Sequence, residues 1–246
     1  MTNGLGQTVV LTGAAGGMGR AITKALIESG RRVVLVDRDA SALQELASTA
    51  GDAVFPIQLD ITDARGVDGL PESIPEHFKP IDVLINNAGH DIGGRTRFDV
   101  GSADDWSNII QTNLIGLMRV TRAILPDMVR RNAGHIVNIS SINAVRIIPD
   151  MAAYSTSKAG VHMFTETLRG ELAETAIRVT ELQPGLTRTN IILTRYRGDR
   201  RKEQEYFDQF KMALDPADIA RSIVFALDQP AHVQIAEMMI LPVNRY

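Results

Sequence analysis

The 246-residue sequence contains no cysteine and no apolar run of the roughly 18 residues that a transmembrane helix needs. Without cysteine there are no disulfides, thiolate nucleophiles or cysteine-ligated zinc, which is consistent with a reducing compartment. The first residues, MTNGLGQ, lack the basic and apolar segments of a secretory signal. The formal net charge is −3, so the composition favours neither nucleic acid nor anionic lipid as a partner. We therefore expect a cytoplasmic protein that acts on a small molecule.

Short β-branched runs recur along the chain with little polar alternation, as is typical of parallel strands covered on both faces. The runs lie at 8–12, 32–36, 53–59, 81–85, 134–140, 177–183 and 238–241. Segments of helix length lie between them, at 40–50, 104–131, 154–175 and 216–227. The longest of these carries apolar residues at three- and four-residue steps. This alternation predicts one α/β domain over residues 1–246, with a doubly wound parallel sheet and helices on both faces.

A glycine-rich turn, GAAGGMG, follows the first predicted strand and leads into the next helix. Its Gly13, Gly17 and Gly19 allow a tight turn and a close approach to a pyrophosphate, while the start of the helix offers unpaired N–H groups. A surface turn without a ligand could use the same residues. The position directly after the first strand favours a dinucleotide site.

The second predicted strand ends in two residues with opposite preferences. Asp37 follows Gly19 at about the spacing expected of an acid that binds the adenosine ribose hydroxyls. Arg38 instead suits the 2′-phosphate of NADP. Because a carboxylate would repel that phosphate, this pair predicts NAD as the cofactor, with NADP as the alternative.

Further motifs follow in order: LDIT at 59–62, NNAG at 86–89, TNLIG at 112–116, NISS at 138–141, YSTSK at 154–158 and PGLTRT at 184–189. Together with the glycine turn, they make the sequence resemble the short-chain dehydrogenase/reductase family over nearly its whole length. The resemblance implies a Rossmann-type sheet of about seven strands in the order 3-2-1-4-5-6-7. It also implies cofactor contacts from Gly13, Gly17, Met18, Gly19, Asp37, Arg38, Asp60, Ile61, Asn87, Ala88, Gly89, Tyr154, Lys158, Pro184, Gly185, Thr187 and Thr189.

Tyr154 and Lys158 stand four residues apart, so they share one face of a helix. A phenol is a weak base at its usual pKa of ~10, but a nearby ammonium and a positive nicotinamide ring favour the phenolate. We therefore expect Lys158, together with the nicotinamide ring, to lower the pKa of Tyr154 below its usual value. Tyr154 is then the general base in alcohol oxidation and the general acid in carbonyl reduction.

Two further residues complete the predicted catalytic set. Ser141, at the end of the strand predicted at 134–140, can donate a hydrogen bond to the substrate oxygen. Ser140 is the alternative, and the family register favours Ser141. The resemblance makes Asn113 the fourth member, holding a water in the proton path, although a simple polar interruption of the long helix would explain it too.

A narrower resemblance, to serine and 3-hydroxy acid dehydrogenases, rests on residues 121–141, 194–207 and 230–245. That branch usually uses NADP, with a small residue where Asp37 stands, so this sequence departs from it there. The segment 187–211 is expected to cover the active site and is rich in arginine, although a solvated basic loop is the plainer interpretation. Ser141 and Tyr154 are predicted to bind substrate with an arginine that binds an anion, and the candidates are Arg146, Arg195 and Arg197.

These observations predict an oxidoreductase of a small 3-hydroxy acid or hydroxysulfonate. His90 and Asp91 could border the pocket, His90 in a structural role, and no histidine cluster indicates a metal site. One alternative is a reductase of 3-oxoacyl thioesters or other ketones, and another is a non-catalytic sensor of dinucleotides. The resemblance further implies a homo-oligomer, specifically a tetramer assembled through helices 104–131 and 155–175.

Overall fold

The computed structural model describes residues 6–210 and 212–243. Within these residues, seven strands form one sheet in the order β3-β2-β1-β4-β5-β6-β7, and every pairing is parallel. The strands are β1 (Thr8–Thr12), β2 (Arg32–Asp37), β3 (Val54–Gln58), β4 (Val83–Asn86), β5 (Gly134–Ile139), β6 (Ile177–Pro184) and β7 (Glu237–Ile240). The predicted fold class and strand order are confirmed, with strand ends shifted by one or two residues.

Helices connect the strands over the same described residues. They are α1 (Gly17–Glu28), α2 (Ala40–Ala50), α3 (Ala64–Asp68), α4 (Leu70–Ser73), α5 (Ala103–Ile110), α6 (Leu117–Arg131), α7 (Ala152–Glu171), α8 (Ile191–Arg195), α9 (Arg200–Asp208) and α10 (Pro216–Leu227). None of them combines the length and apolar character that crossing a bilayer requires.

Alternate residues of each central strand pack into different layers, which explains the missing polar alternation. Val9 and Leu11 of β1 pack with α1, α2 and α10, in a cluster that also contains Ile22 and Ile223. Val10 packs on the opposite side of the sheet, in a cluster built with α3, α4, α6 and α7. The sheet is therefore buried on both faces, and its polar chemistry is concentrated at the strand ends.

The predicted helix 104–131 is interrupted in its middle. Between α5 and α6, residues Gln111–Gly116 wind as a π-helix. Such a wider turn commonly marks a functional position, and here it carries the buried Asn113. The predicted helix 154–175 is also displaced, since α7 begins at Ala152 and ends at Glu171.

Some predicted ranges reach beyond the described part of the chain. Residue 211 ends the predicted covering segment 187–211, and residues 244 and 245 end the tail segment 230–245; they lie outside the described residues, as do residues 1–5 and 246.

Candidate active site

A cleft of about 420 Å³ follows the carboxyl ends of β1 to β4. Ligands collect at this edge of open parallel sheets. Its lining comes from the glycine turn, the ends of β2 and β3, and the NNAG motif. The predicted cofactor residues that it contains are Gly13, Gly17, Met18, Gly19, Asp37, Arg38, Asp60, Ile61, Asn87, Ala88, Gly89 and Thr189.

The glycine turn is packed so tightly that side chains would not fit. A Cβ on Gly19 would lie 2.1 Å from the carbonyl oxygen of Gly13, and one on Gly13 would lie 2.8 Å from the Cα of Ala88. The side-chain amide of Asn87 donates to the carbonyls of Thr12 and Gly13, at 3.0 Å each, and so holds the turn against the NNAG loop.

The start of α1 is suited to an anion. No side chain caps this end, and its first turn contains no acidic residue. Its N–H groups and the positive end of its dipole are therefore left for a phosphate. In the same cleft, the buried Oδ1 of Asn87 has no hydrogen-bond partner among the described residues. These features fit the pyrophosphate and ribose of a dinucleotide.

Asp37 is fixed at the edge of the cleft by the backbone. Its Oδ2 accepts the N–H of Ala15 at 2.9 Å, and its Oδ1 accepts the N–H of Asp39 at 3.0 Å. Arg38 is exposed beside it and contributes to lowering the pKa of Asp60. In Asp60, burial acts to raise the pKa, but hydrogen bonds from Thr62 and nearby positive charge lower it below its usual value. The cleft thus holds one fixed carboxylate and one exposed guanidinium near the expected adenosine ribose.

A second cavity of about 210 Å³ adjoins the cleft. Ser141, Tyr154 and Lys158 line it, and so do the remaining predicted cofactor residues Pro184, Gly185 and Thr187. Asn143, Arg95 and Tyr206 line it as well, and sequence reasoning did not select them. Asn143 follows two residues after Ser141, which is a local signal; the other two reach the cavity only through the tertiary fold.

The two adjacent serines point to different partners. Ser141 accepts the N–H of Asn143 at 3.2 Å and donates to its Oδ1 at 3.3 Å, and the same hydroxyl acts to lower the pKa of Tyr154. The hydroxyl of Ser140 donates to the carboxylate of Glu181, away from Tyr154. The structure therefore brings Ser141, and not Ser140, to the phenol.

Glu181 belongs to a cluster behind the serines that the sequence did not reveal. Ligand atoms of His162, Glu166, Glu181 and Glu237 lie within 4.8 Å of one another. His162 pairs with Glu181 at 2.7 Å, and Arg169 pairs with Glu166. The pair between His162 and Glu181 joins α7 to β6, and Glu237 of β7 accepts a hydrogen bond from Gln183 of β6 at 3.5 Å.

Asn113 lies beneath the cavity and is fully buried. Its Oδ1 accepts the N–H of His90 at 2.9 Å, while its Nδ2 donates to the carbonyl of His90 and to the hydroxyl of Ser157. The side chain therefore braces the loop after β4 against α7. Its predicted contact with a water in the proton path stays a prediction.

The predicted effect of Lys158 on Tyr154 is wrong for the protein alone. Burial, and then the charge of Asp91, raise the pKa of Tyr154 to about 12, although the hydrogen bond from Ser141 opposes this rise. Burial also lowers the pKa of Lys158 to about 8, and its Nζ donates to the carbonyl of Ile139 at 2.9 Å. The loss of water around the phenol thus outweighs a cation whose Nζ lies 5.9 Å from the centre of its ring.

Only one of the three predicted arginines reaches the cavity. Arg195 lines it and pairs with Asp91, its Nε lying 2.8 Å from Oδ2 of the carboxylate. Arg197 follows the end of α8 and extends to Asp105 on α5, where its Nη2 contacts both carboxylate oxygens at 2.8 and 2.7 Å. Arg146 approaches Met239 on β7, with 3.9 Å between Nη2 and Sδ. Arg146 and Arg197 do not line this cavity, and their predicted contact with substrate stays a prediction.

Comparison with known proteins decides the family. A family model described as short chain dehydrogenase matches residues 7–199. The chain belongs to the short-chain dehydrogenase/reductase family. This dehydrogenase is accordingly an oxidoreductase of CH–OH groups whose cleft binds a nicotinamide dinucleotide.

Relatives of this dehydrogenase cover almost its whole length. NADP-dependent 3-hydroxy acid dehydrogenase YdfG of Escherichia coli K12 is 37% identical over 238 residues, which are 96% of this chain and 95% of the relative. The closed form of serine dehydrogenase complexed with NADP⁺ has a TM-score of 0.94 at 36% identity and covers 98% of this chain and 96% of its own. A 3-ketoacyl-(acyl-carrier-protein) reductase from Brucella melitensis complexed with NADH has a TM-score of 0.86 at 26% identity, covering 98% and 99%.

Proposed function

We propose that this dehydrogenase interconverts the CH–OH and C=O groups of a small anionic hydroxy compound, a 3-hydroxy acid or a hydroxysulfonate, with NAD(H) as cofactor. The observation that carries the proposal is the placement of a buried guanidinium, that of Arg195, in the same cavity as Ser141 and Tyr154. A guanidinium binds carboxylate and sulfonate oxygens through strong charge-assisted hydrogen bonds. The cavity of about 210 Å³ suits a short substrate.

The charge of the cavity also favours an anion. Arg195, Arg95 and Lys158 supply positive groups to its lining, and Asp91 pairs with only the first of them. Arg95 is exposed at the mouth and donates to the carbonyl of Pro149 at 3.1 Å. The names of two similar proteins, a 3-hydroxy acid dehydrogenase and a serine dehydrogenase, support the same substrate class.

The roles of the reacting groups follow from their chemistry. A bound nicotinamide dinucleotide supplies the two-electron redox chemistry, and its positive oxidised ring favours the Tyr154 phenolate. Ser141 donates a hydrogen bond to the substrate oxygen as negative charge develops there. Tyr154 gives a proton to that oxygen in reduction and takes it back in oxidation. Lys158 stabilises the charged phenol and holds the nicotinamide ribose, and Asn113 braces the loop that carries Gly89.

The preference for NAD is proposed from Asp37. Two backbone N–H groups fix its carboxylate in the cleft, so it cannot withdraw from a 2′-phosphate without losing both hydrogen bonds. Two similar proteins are named with NADP or contain it, and Arg38 offers this chain a route to the same cofactor. We weigh the fixed carboxylate above the exposed guanidinium because only the carboxylate is held in place.

A substrate screen with both dinucleotides tests the proposal. The purified protein is assayed with 3-hydroxy acids, serine, allo-threonine and hydroxysulfonates, and with 3-oxoacyl thioesters and uncharged alcohols as competing classes. We expect turnover of at least one small anionic hydroxy compound, with a higher kcat/KM for NAD than for NADP. Turnover of thioesters or neutral alcohols alone would contradict the anionic substrate.

We also propose a cytoplasmic homotetramer. Met118 on α6 and Met163 on α7 are 39% and 62% exposed, and these apolar groups support association through the two helices. Light scattering at micromolar concentration measures the mass of the particle directly, and a monomer would overturn this assembly.

A further inference from the structure

Asp91 and Arg195 form a buried ion pair at the wall of the substrate cavity. Asp91 lies in the loop after β4, Arg195 ends α8, and only 2% and 5% of their surfaces are exposed. Both Nε and Nη2 of the guanidinium lie 2.8 Å from the same oxygen, Oδ2 of Asp91. Removing two charges from water is costly, and a buried pair is often no more stable than an apolar replacement. Its position beside the reacting groups suggests a role in selecting substrates.

One edge of the Arg195 guanidinium remains uncommitted. Its Nη1 is buried and makes no hydrogen bond within the described residues. The ring of Tyr206 packs against the guanidinium, with Cζ 4.9 Å from the ring centre, so the group is held from a second side. A buried N–H group without a partner is unfavourable. A substrate oxygen in the cavity would satisfy it.

The charge of Asp91 acts on more than its partner. Arg195 faces it from α8 and Lys158 from α7, and both favour its charged form, although burial outweighs them. Tyr154, also on α7, has its pKa raised by the same carboxylate, while Tyr206 of α9 faces Arg195. Asp91 thus places a negative charge among the positive groups that would attract an anionic substrate, and Glu181 acts on Lys158 as well.

We propose that Asp91 is a positioning residue that sets the charge preference of the substrate cavity. It holds Arg195 with the Nη1 edge free for substrate, and it offsets part of the charge with which Arg195 attracts a carboxylate. The inference rests on the proposed function, because it assumes that the cavity lined by Tyr154 receives the substrate. In this proposal, a residue that need not touch the substrate determines how strongly the cavity prefers anionic over uncharged substrates.

This role has a consequence for pH. Burial raises the pKa of Asp91 to about 6 even beside Arg195 and Lys158. Below that pH the carboxyl gains a proton and no longer offsets the guanidinium. Preference for a carboxylate over an uncharged analogue should therefore rise as the pH falls through about 6.

The test compares kcat/KM for a short 3-hydroxy acid with that for its primary amide, from about pH 5 to about pH 7, below the pKa of about 8 that burial gives Lys158. Because both substrates use Tyr154, its titration cancels in the ratio. Asp91→Asn keeps an oxygen that accepts from Arg195 but removes the charge. At the alkaline end, we expect its preference for the acid to exceed that of the wild type by roughly tenfold. The ratio should vary with pH in the wild type and be nearly constant in the variant.

Asp105→Asn is the matched control. It removes the carboxylate that pairs with Arg197, a residue of the same 187–211 segment that is 60% exposed and does not line the cavity. The control should keep the wild-type ratio and its pH dependence. An Asp91→Asn protein with that same wild-type behaviour, or with a weaker preference for the acid, would overturn the proposal. Unchanged NADH binding by Asp91→Asn confirms that the protein is folded.

A failure of the substrate proposal can be told from a failure of this one. If the wild type turns over only uncharged alcohols, the anionic substrate is wrong. The role of Asp91 is then tested with that alcohol as the substrate, by comparing the inhibition constants of acetate and acetamide. Acetate should inhibit Asp91→Asn roughly tenfold more strongly than the wild type, and equal inhibition constants would overturn the role. If Asp91→Asn fails to fold, a wild-type ratio that does not change near pH 6 overturns it.

Discussion

Tyr154 is the residue at which the local sequence and the tertiary environment predict opposite shifts of the pKa. Four-residue spacing correctly places Lys158 on the same helix, but the pKa of Tyr154 rises to about 12 because burial dominates. The second cause is Asp91, which is far from Tyr154 in the sequence and approaches it only through the loop after β4. Burial therefore keeps the phenol protonated at neutral pH, which suits donation to a carbonyl, and oxidation depends on the positive charge that the oxidised cofactor brings.

Asp37 gives a prediction about cofactor choice. Replacing it with alanine removes the negative charge at the ribose end of the cleft and leaves Arg38 free to bind a 2′-phosphate. The ratio of kcat/KM for NAD to that for NADP should fall by at least roughly tenfold.

For Asp37→Ala, the ratio of the two kcat/KM values is more informative than either value alone. Asp37 also accepts the N–H of Ala15, so its loss loosens the glycine turn and weakens both cofactors, and this shared effect cancels. An unchanged ratio would show that another group decides between the two dinucleotides.

Among the elements, the turn from β1 to α1 gives a prediction about packing. Gly19→Ala would bring its Cβ to 2.1 Å from the carbonyl oxygen of Gly13, so the backbone has to move. Overpacking of this kind costs about 1–3 kcal/mol. We expect a lower unfolding temperature and at least roughly tenfold weaker NADH binding.

Gly16→Ala is the control within the same turn. Its Cβ would meet that oxygen at 3.4 Å, which is close to ordinary contact. Its unfolding temperature should stay near that of the wild type. Equal losses in both variants would argue against the specific crowding at Gly19.

The long helix and the 187–211 segment show which elements a sequence can predict. Apolar spacing correctly marks residues 104–131 as helical, but it does not reveal the π-helical segment, whose Asn113 bonds to His90 and Ser157 on other elements. Likewise, the arginine content of the 187–211 segment suggests an anion site without saying which guanidinium faces it. Arg197 extends to Asp105 because α8 ends before it, and this depends on the path of the chain after Arg195.

For the whole molecule, hydrophobic pattern and motif order were sufficient for the architecture. Strands β1, β2 and β4 are apolar on both faces, and the carboxyl ends of the strands meet at one edge, so motifs far apart in sequence converge on one cleft. What the pattern could not give was the electrostatics of buried groups. Those depend on solvent exclusion and on neighbours such as Asp91 and Glu181, which only the assembled sheet and helices bring into place.

Stability against acid is a property of the whole molecule that one buried histidine should influence. His135 on β5 is 2% exposed. The hydroxyl of Thr180 donates to the carbonyl of Ile235, so it accepts a hydrogen bond from Nε2 of His135, at 2.8 Å. A second proton would go to Nδ1, which has no partner among the described residues. Burial, with the charges of Arg178 and Arg31, lowers the pKa of His135 to about 3.

The sign of the effect follows from this lowered pKa. Between about pH 6.5 and pH 3 the unfolded chain binds a proton at His135 that the folded protein does not, so stability is lost as the pH falls. His135→Gln should reduce the pH dependence of the unfolding free energy in this window by up to about 1.4 kcal/mol per pH unit. Urea unfolding at several pH values measures it, and identical slopes for wild type and variant would contradict the prediction.

The central claim is that the hydroxyl of Tyr154 exchanges a proton with the substrate oxygen in the cavity beside the cofactor cleft. Cofactor binding does not require this hydroxyl. The most direct measurement compares turnover and NADH binding for Tyr154→Phe, with Tyr196→Phe as the control because Tyr196 does not line the cavity. We predict that Tyr154→Phe loses at least roughly 100-fold in kcat and keeps its affinity for NADH, while the control keeps both. Undiminished turnover by Tyr154→Phe, or a wild-type protein that binds NADH and turns over no alcohol or carbonyl, would contradict the account.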